Sequence, residues 1–129
     1  MACLDTSFLI DIIRGRQEAA PVKDDLDSTE SILAIPAPVL MELWVGALLS
    51  GRERERSIVI SLSQSFTVLP FDARCAREAG EIEHDLIKAG TPVETEDVMI
   101  AAITRIHGEK LVTRDRHFSR IPGLKLYIY

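Results

Sequence analysis

The sequence predicts an α/β fold: a central, mostly parallel sheet of about five strands with helices on both faces. Two observations carry this. Short apolar runs of strand length alternate with helical stretches from one end of the chain to the other, the pattern of parallel strands joined by helical crossovers. The first run, Ala2-Cys3-Leu4, also stops at an acid, Asp5, and turns straight into a helix. That is how an open α/β sheet places a polar group at the carboxyl edge of its strands, where ligands bind. At 129 residues, with no linker or internal repeat, the chain reads as a single domain spanning 1–129.

Taken in order, the elements follow from local chemistry. The first helix runs from about Ser7 to Arg14, with Thr6 as its expected N-cap and Gly15 as its stop. Residues 17–30 are polar and acidic and read as a solvent-facing helix or an irregular crossover. Ser31 to Ile35 is the second strand, closed by Pro36, and Pro38 suits the first turn of the next helix. That helix, Val39 to Leu49, is apolar nearly all the way round, with Glu42 its only charge. Such a helix is expected to be buried on more than one side, by its own domain or by a partner. Leu43, Trp44, Ala47 and Leu48 are therefore expected in the core or in a hydrophobic groove that receives a partner.

Gly51 ends this helix, and Arg52-Glu53-Arg54-Glu55-Arg56 opens another, read as salt-bridged and exposed. Phe66 to Leu69 is a short strand before Pro70. Asp72 caps a helix that reaches Lys88 or Ala89 and stops at Gly90. Thr95-Glu96-Asp97 opens a second apolar helix, which ends at His107-Gly108. Lys110 to Thr113 is the fourth strand. Leu124 to Tyr129 alternates as an edge strand would.

Composition narrows the function. Hydrophobic residues make up 47% of the chain and aromatic ones only 5%, so the core is aliphatic. A net charge of −5 argues against coating nucleic acid by bulk electrostatics, but a nuclease needs only local basic residues and a metal. No apolar run reaches the roughly 20 residues of a membrane span, and no leader pattern opens the chain, which predicts a soluble cytoplasmic protein. Cys3 and Cys75 have no metal-type spacing. Cys3 reads as a core residue. His84 and His107 likewise have no zinc-like partner spacing.

Four carboxylates stand where surface acids rarely do. Asp5 ends the first strand, Glu42 lies one turn into an apolar helix, Asp97 sits in the first turn of another, and Asp115 follows the fourth strand by two residues. Strand ends and helix starts share one edge of such a sheet, so all four can reach a common rim. Each also has an ordinary role available: an N-cap for Asp5, a dipole contact for Asp97, an ion pair for Glu42, a turn for Asp115. Their convergence is what points to chemistry. Several buried anions are tolerable with a divalent cation between them, and oxygen-only ligands favour Mg²⁺ or Mn²⁺ over Zn²⁺. One such ion, or a pair, suits phosphodiester hydrolysis. Arg14, Arg16, Arg114, Arg116 and Arg120 are candidate phosphate contacts near the rim.

The series Leu-Asp-Thr-Ser, Pro-Val-Leu-Met-Glu-Leu-Trp-Val-Gly-Ala, Glu-Asp-Val-Met-Ile-Ala-Ala and Leu-Val-Thr-Arg-Asp-Arg-His-Phe, with Ile-Pro-Gly-Leu behind it, resembles the PIN-domain nucleases. Among them it is most similar to VapC-type toxins of toxin–antitoxin pairs. The resemblance implies a three-layer α/β/α fold and a magnesium- or manganese-dependent endoribonuclease. It also implies a homodimer and a small VapB-like antitoxin that lays a helix into a groove and blocks the site. Asp5, Glu42, Asp97 and Asp115 fall on the family's acidic positions. Asp5 and Asp97 would be the principal metal ligands, Glu42 and Asp115 would complete the set, and Thr6 or Ser7, with Thr113, would orient them. His117 stands where family members often carry a further acid, which leaves the number of metal ions open; it is read as a surface residue, a phosphate contact or a proton donor. Other readings are an RNA-processing nuclease of the same fold that is not a toxin, or a non-catalytic scaffold for RNA or protein. A phosphotransferase with an aspartate nucleophile would need an acid where Ser7 stands, and a receiver domain distributes its acids differently.

Overall fold

The structure is a computed structural model that describes residues 1–129. Its elements are β1 (Ala2–Leu4), α1 (Thr6–Ile13), α2 (Ala20–Thr29), β2 (Leu33–Pro36), α3 (Ala37–Ser50), α4 (Glu53–Ser65), β3 (Thr67–Leu69), α5 (Ala73–Ala89), α6 (Thr95–Ile106), β4 (Lys110–Thr113) and β5 (Lys125–Ile128), with a 3₁₀ turn at Arg116–Arg120. The strands lie in the order β3-β2-β1-β4-β5, and every neighbouring pair is parallel. Helices cover both faces, giving three α/β/α layers.

Strand β1 is the centre. Cys3 pairs with Ala34 of β2 on one side and Leu111 of β4 on the other. With neighbours on both edges and helices on both faces, Ala2, Cys3 and Leu4 are all buried, which is why the run carries no polar residue. Strand order reverses at β1, since β2 and β3 follow on one side and β4 and β5 on the other. The crevice at the carboxyl ends of β1 and β4 is therefore the topological switch point. Core side chains from strands (Leu4, Ile35, Leu111, Val112) and helices (Phe8, Val39, Ile100, Ile103) belong to one cluster of 28 buried apolar residues.

Several helix ends match their local chemistry. Asp72 accepts from the Cys75 amide at 3.0 Å, and Gly51 and Gly90 take the left-handed conformation that closes a helix (φ 69° and 67°). Others correct the expectation. Thr6 is the first residue of α1, not its N-cap; Asp5 stands at the cap position without capping, because its carboxylate is bonded elsewhere. Helix α2 is not purely solvent-facing, since Val22 and Leu26 reach the core.

Helix α3 buries one stripe only: Val39, Leu43 and Ala47 point inward, while Met41, Trp44, Val45, Leu48 and Leu49 are exposed. Leu43 and Ala47 thus join the core, and Trp44 and Leu48 do not. The arginines at the start of α4 form no ion pairs with their glutamate neighbours. Alternating charge at every residue sets like signs four apart (Arg52 and Arg56), and the opposite signs that fall three apart (Arg52 and Glu55, Glu53 and Arg56) do not close into pairs. No helix is long and apolar enough to cross a membrane.

Ile100, fully buried where α6 meets the sheet, tests the core. Ile100→Ala should lower unfolding free energy by about 2–5 kcal/mol in urea titration without changing the fold.

Candidate active site

The site begins at Asp5. The backbone of β1 carries its ladder one residue further, with the Asp5 amide donating to Val112 O at 3.0 Å, and this fixes the carboxylate at the switch point. The residue is only 4% exposed. Two hydroxyls stabilise its charge: Thr113 Oγ1 donates to Oδ2 at 2.6 Å and Ser7 Oγ donates to the same oxygen at 2.9 Å. Ser7 and Thr113 touch each other at 3.2 Å. Both are braced in turn, Thr113 Oγ1 by the Asp115 amide (3.0 Å) and Ser7 Oγ by the Arg114 amide (3.1 Å). Burial pushes the Asp5 carboxyl above its ordinary range, and the hydroxyls oppose that rise.

Over this buried acid lies an open cavity of about 530 Å³, lined by Met41, Glu42, Val45, Glu94, Glu96, Asp97 and Asp115. Four elements supply it. Helix α6 brings Asp97 in its first turn, α3 brings Glu42, the segment after β4 brings Asp115, and the loop before α6 adds Glu94. Asp97 registers the crowding most strongly. Desolvation, then the charges of Asp5, Glu42, Asp115 and Glu94, push its carboxyl up to about 7. Glu42 is also raised, first by burial and then by Asp5 and Glu96, while Thr6 opposes the rise. Buried atoms of both, Glu42 Oε1 and Thr6 Oγ1, lack a formed hydrogen bond.

Asp5, Glu42, Asp97 and Asp115 are therefore neighbours, three around the cavity and one beneath it. Glu94 and Glu96 also belong to the rim, although sequence reasoning assigned them to a loop and a helix start; their adjacency to Asp97 was the available signal. No three of these side chains close on a common point as a finished ligand cage. The donor set nevertheless suits a hard divalent cation: all oxygen, crowded enough to hold one carboxyl near neutrality, with an orphaned acceptor on Glu42.

His117 is fastened to Asp115. Its amide (2.9 Å) and Nδ1 (2.7 Å) both meet Asp115 Oδ1. A carboxylate only accepts, so Nδ1 carries the proton. Thr6 orients nothing by a formed hydrogen bond, whereas Ser7 and Thr113 do.

Sequence reasoning missed Asp11, which it read as part of an apolar helix. Asp11 is 1% exposed. Tyr129 OH donates to its Oδ2 at 2.8 Å, Arg114 Nε lies 3.1 Å from the same oxygen, and Arg16 Nε lies 3.3 Å from Oδ1 without hydrogen-bond alignment. The Tyr129 ring meets Phe8 edge-on. Asp11 thus ties α1 to the end of β5 and to Arg114, whose amide holds Ser7. Arg16 and Arg114, candidate phosphate contacts, are engaged here, and Arg120 donates to Pro92 O. Arg14 and Arg116 make no ion pair.

A rim of acids at the switch point of a parallel sheet suits a hard divalent cation, and comparison with known proteins gives the family. The chain belongs to the PIN domain family, whose profile matches residues 2–124. Within it the chain resembles VapC proteins. It is 34% identical to the tRNA(fMet)-specific endonuclease VapC of Salmonella typhimurium, over 95% of this chain and 93% of that one. It is 30% identical to ribonuclease VapC1 of Rickettsia felis, over 95% and 92%. The crystal structure of DNA-bound VapBC from Salmonella typhimurium superposes with a TM-score of 0.88 at 32% identity, covering 99% of this chain and 98% of that chain.

Two outcomes test this electrostatic and packing scheme. The Asp97 carboxyl is raised from 3.8 to about 7 on folding, so between those values the folded chain binds more protons than the unfolded one. Stability without divalent cations should therefore fall as pH rises from about 4 to about 7. Melting temperatures in EDTA should follow that slope, and Asp97→Asn should flatten it; an unchanged slope would contradict the crowding. Asp11→Asn should cost about 1–3 kcal/mol by urea unfolding, because it leaves the Arg114 and Tyr129 donors with a weaker acceptor.

Proposed function

We propose that this chain is a divalent-cation-dependent endoribonuclease, the toxin of a toxin–antitoxin pair, acting in the cytoplasm. The observation that carries this is the meeting of Asp5, Glu42, Asp97 and Asp115 at one rim, with Asp97 raised to about 7 first by burial and then by the charges of the acids around it. The relatives support the reaction and the substrate class: one is a tRNA(fMet)-specific endonuclease and another a ribonuclease. The similar solved structure is a VapBC complex, which supports a VapB-like antitoxin as partner. The exposed face of α3 around Met41, Val45 and Leu48 supports a protein contact there, in a homodimer or with the antitoxin.

Asp97, Glu42 and Asp115, with Asp5 beneath, would hold Mg²⁺ or Mn²⁺. The bound ion supplies neutralisation of the acids, activation of water and charge stabilisation for phosphodiester hydrolysis. The chain's own residues do the rest. Ser7 and Thr113 fix the Asp5 carboxylate so that it cannot turn away from its neighbours. His117 fixes Asp115 through Nδ1. Without a cation, burial and the neighbouring acids raise the Asp97 carboxyl to about 7, and a bound dication would relieve that rise and favour the carboxylate. Protons compete with a cation for the same oxygens, so cation affinity weakens below about pH 7.

A labelled initiator-tRNA transcript incubated with Mg²⁺ or Mn²⁺ should be cut, and EDTA should protect it. Asp5→Asn and Asp97→Asn should each reduce cleavage on the order of 10²-fold or more. Independently of activity, millimolar Mn²⁺ should raise the melting temperature of the wild type and not of the variants. Cleavage that survives both substitutions would overturn the proposal.

A further inference from the structure

A second cavity, of about 450 Å³, lies between α1, α3 and α4. It shares one residue with the acidic rim, Glu42, so the two cavities adjoin. Arg14, Arg52 and Arg54 line it, over a floor that includes Leu43 and Val59. None of the three guanidiniums forms an ion pair. The arginines that do are elsewhere: Arg16 and Arg114 on Asp11, Arg105 on Glu78.

We propose that this groove carries a single-stranded stretch of RNA away from the scissile phosphodiester, with Arg14, Arg52 and Arg54 holding its phosphates; the proposal rests on the nuclease reading above. Charge gives the path its direction. On one side of Glu42 the rim continues into Glu94 and Glu96, which repel phosphate. On the other it opens onto three cations outside any ion pair, Arg14, Arg52 and Arg54, against a single further acid in the lining, Glu55, so the balance there is positive. A strand with one phosphodiester at the acids therefore has one favourable exit, over the start of α4.

Size and lining fit an unpaired strand. The volume is that of a small-ligand site and has no room for a double helix. The apolar floor suits the faces of unstacked bases, which is how single strands are held beside a basic track. An acidic peptide would satisfy the arginines too. What favours RNA is that the groove adjoins the cavity where its phosphodiester must sit.

The test is RNA binding in EDTA, where cleavage is suppressed, read by fluorescence anisotropy of a 5′-labelled initiator-tRNA transcript across a salt series. Arg52→Ala/Arg54→Ala should weaken binding roughly tenfold at 0.1 M salt and lower the slope of log K against log salt by roughly 0.7–0.9 for each lost contact. Arg52→Lys/Arg54→Lys should retain most of the slope. Arg74→Ala/Arg77→Ala removes the same charge from α5 and should leave the slope unchanged. Equal losses in the α4 and α5 pairs would mean bulk electrostatics and overturn the groove. Unchanged binding in the α4 pair, while the wild type still cuts the transcript, would overturn the groove and leave the nuclease standing. A wild type that binds through these arginines but never cuts would overturn the nuclease reading alone. If the α4 pair lost binding of a labelled oligoglutamate peptide and kept that of RNA, the groove would belong to an acidic protein segment instead.

Discussion

A carboxylate withdrawn from water at the end of the central strand governs this molecule. An uncompensated buried charge would be ruinous for a small domain, and Asp5 is compensated by two hydroxyls on one oxygen. Those hydroxyls come from Ser7 and Thr113, at nearly opposite ends of the chain. Satisfying Asp5 therefore demands that β4 lie beside β1 in one register, with Thr113 level with the acid. Once that holds, the segment after β4 must turn at Asp115, and the backbone amides of Arg114 and Asp115 brace the same hydroxyls. The fold and the site are one hydrogen-bonded arrangement at this point.

The acids above Asp5 work against folding rather than for it. Asp97 is raised first by its burial and then by the charges of Asp5, Glu42, Asp115 and Glu94. The excess is offset by the core of 28 apolar residues and by the parallel sheet. Strain concentrated in one crevice and supported from elsewhere is the usual relation between a site and its scaffold. Asp11 belongs to the support: though buried and charged, it faces Arg114, Arg16 and Tyr129 instead of the acids.

Much of this was legible in the residues. Alternating strand and helix signals placed all five strands within about two residues, because Pro, Gly and Asp punctuate nearly every boundary. The four acids were legible for a different reason: Asp5 ends an apolar strand, Glu42 interrupts an apolar helix, and Asp97 and Asp115 stand at a helix start and just past a strand end that share the same sheet edge. What escaped depended on tertiary contacts. Asp11 interrupts an apolar helix just as Glu42 does, but its partners, Arg114 and Tyr129, are over a hundred residues away and share no local pattern. The open face of α3 was hidden because periodicity cannot say which apolar residues a neighbour covers; Pro38, Val39, Leu43 and Ala47 are buried, while Met41, Val45, Leu48 and Leu49 stay exposed. The arginines of α4 looked paired because their signs alternate, yet sequence spacing does not fix where long, exposed side chains point, and none of them meets a glutamate.

The strand order has a consequence for biosynthesis. Strand β1 leaves the ribosome more than a hundred residues before β4, so one of its two edges stays bare until Lys110–Thr113 has emerged. The acid that ends β1 waits through the same interval for its second hydroxyl. Parallel pairing of segments so distant is closed late and slowly. A nascent or prematurely terminated chain lacking that stretch thus has no assembled crevice, and the site is completed in one step when β4 docks rather than growing with length.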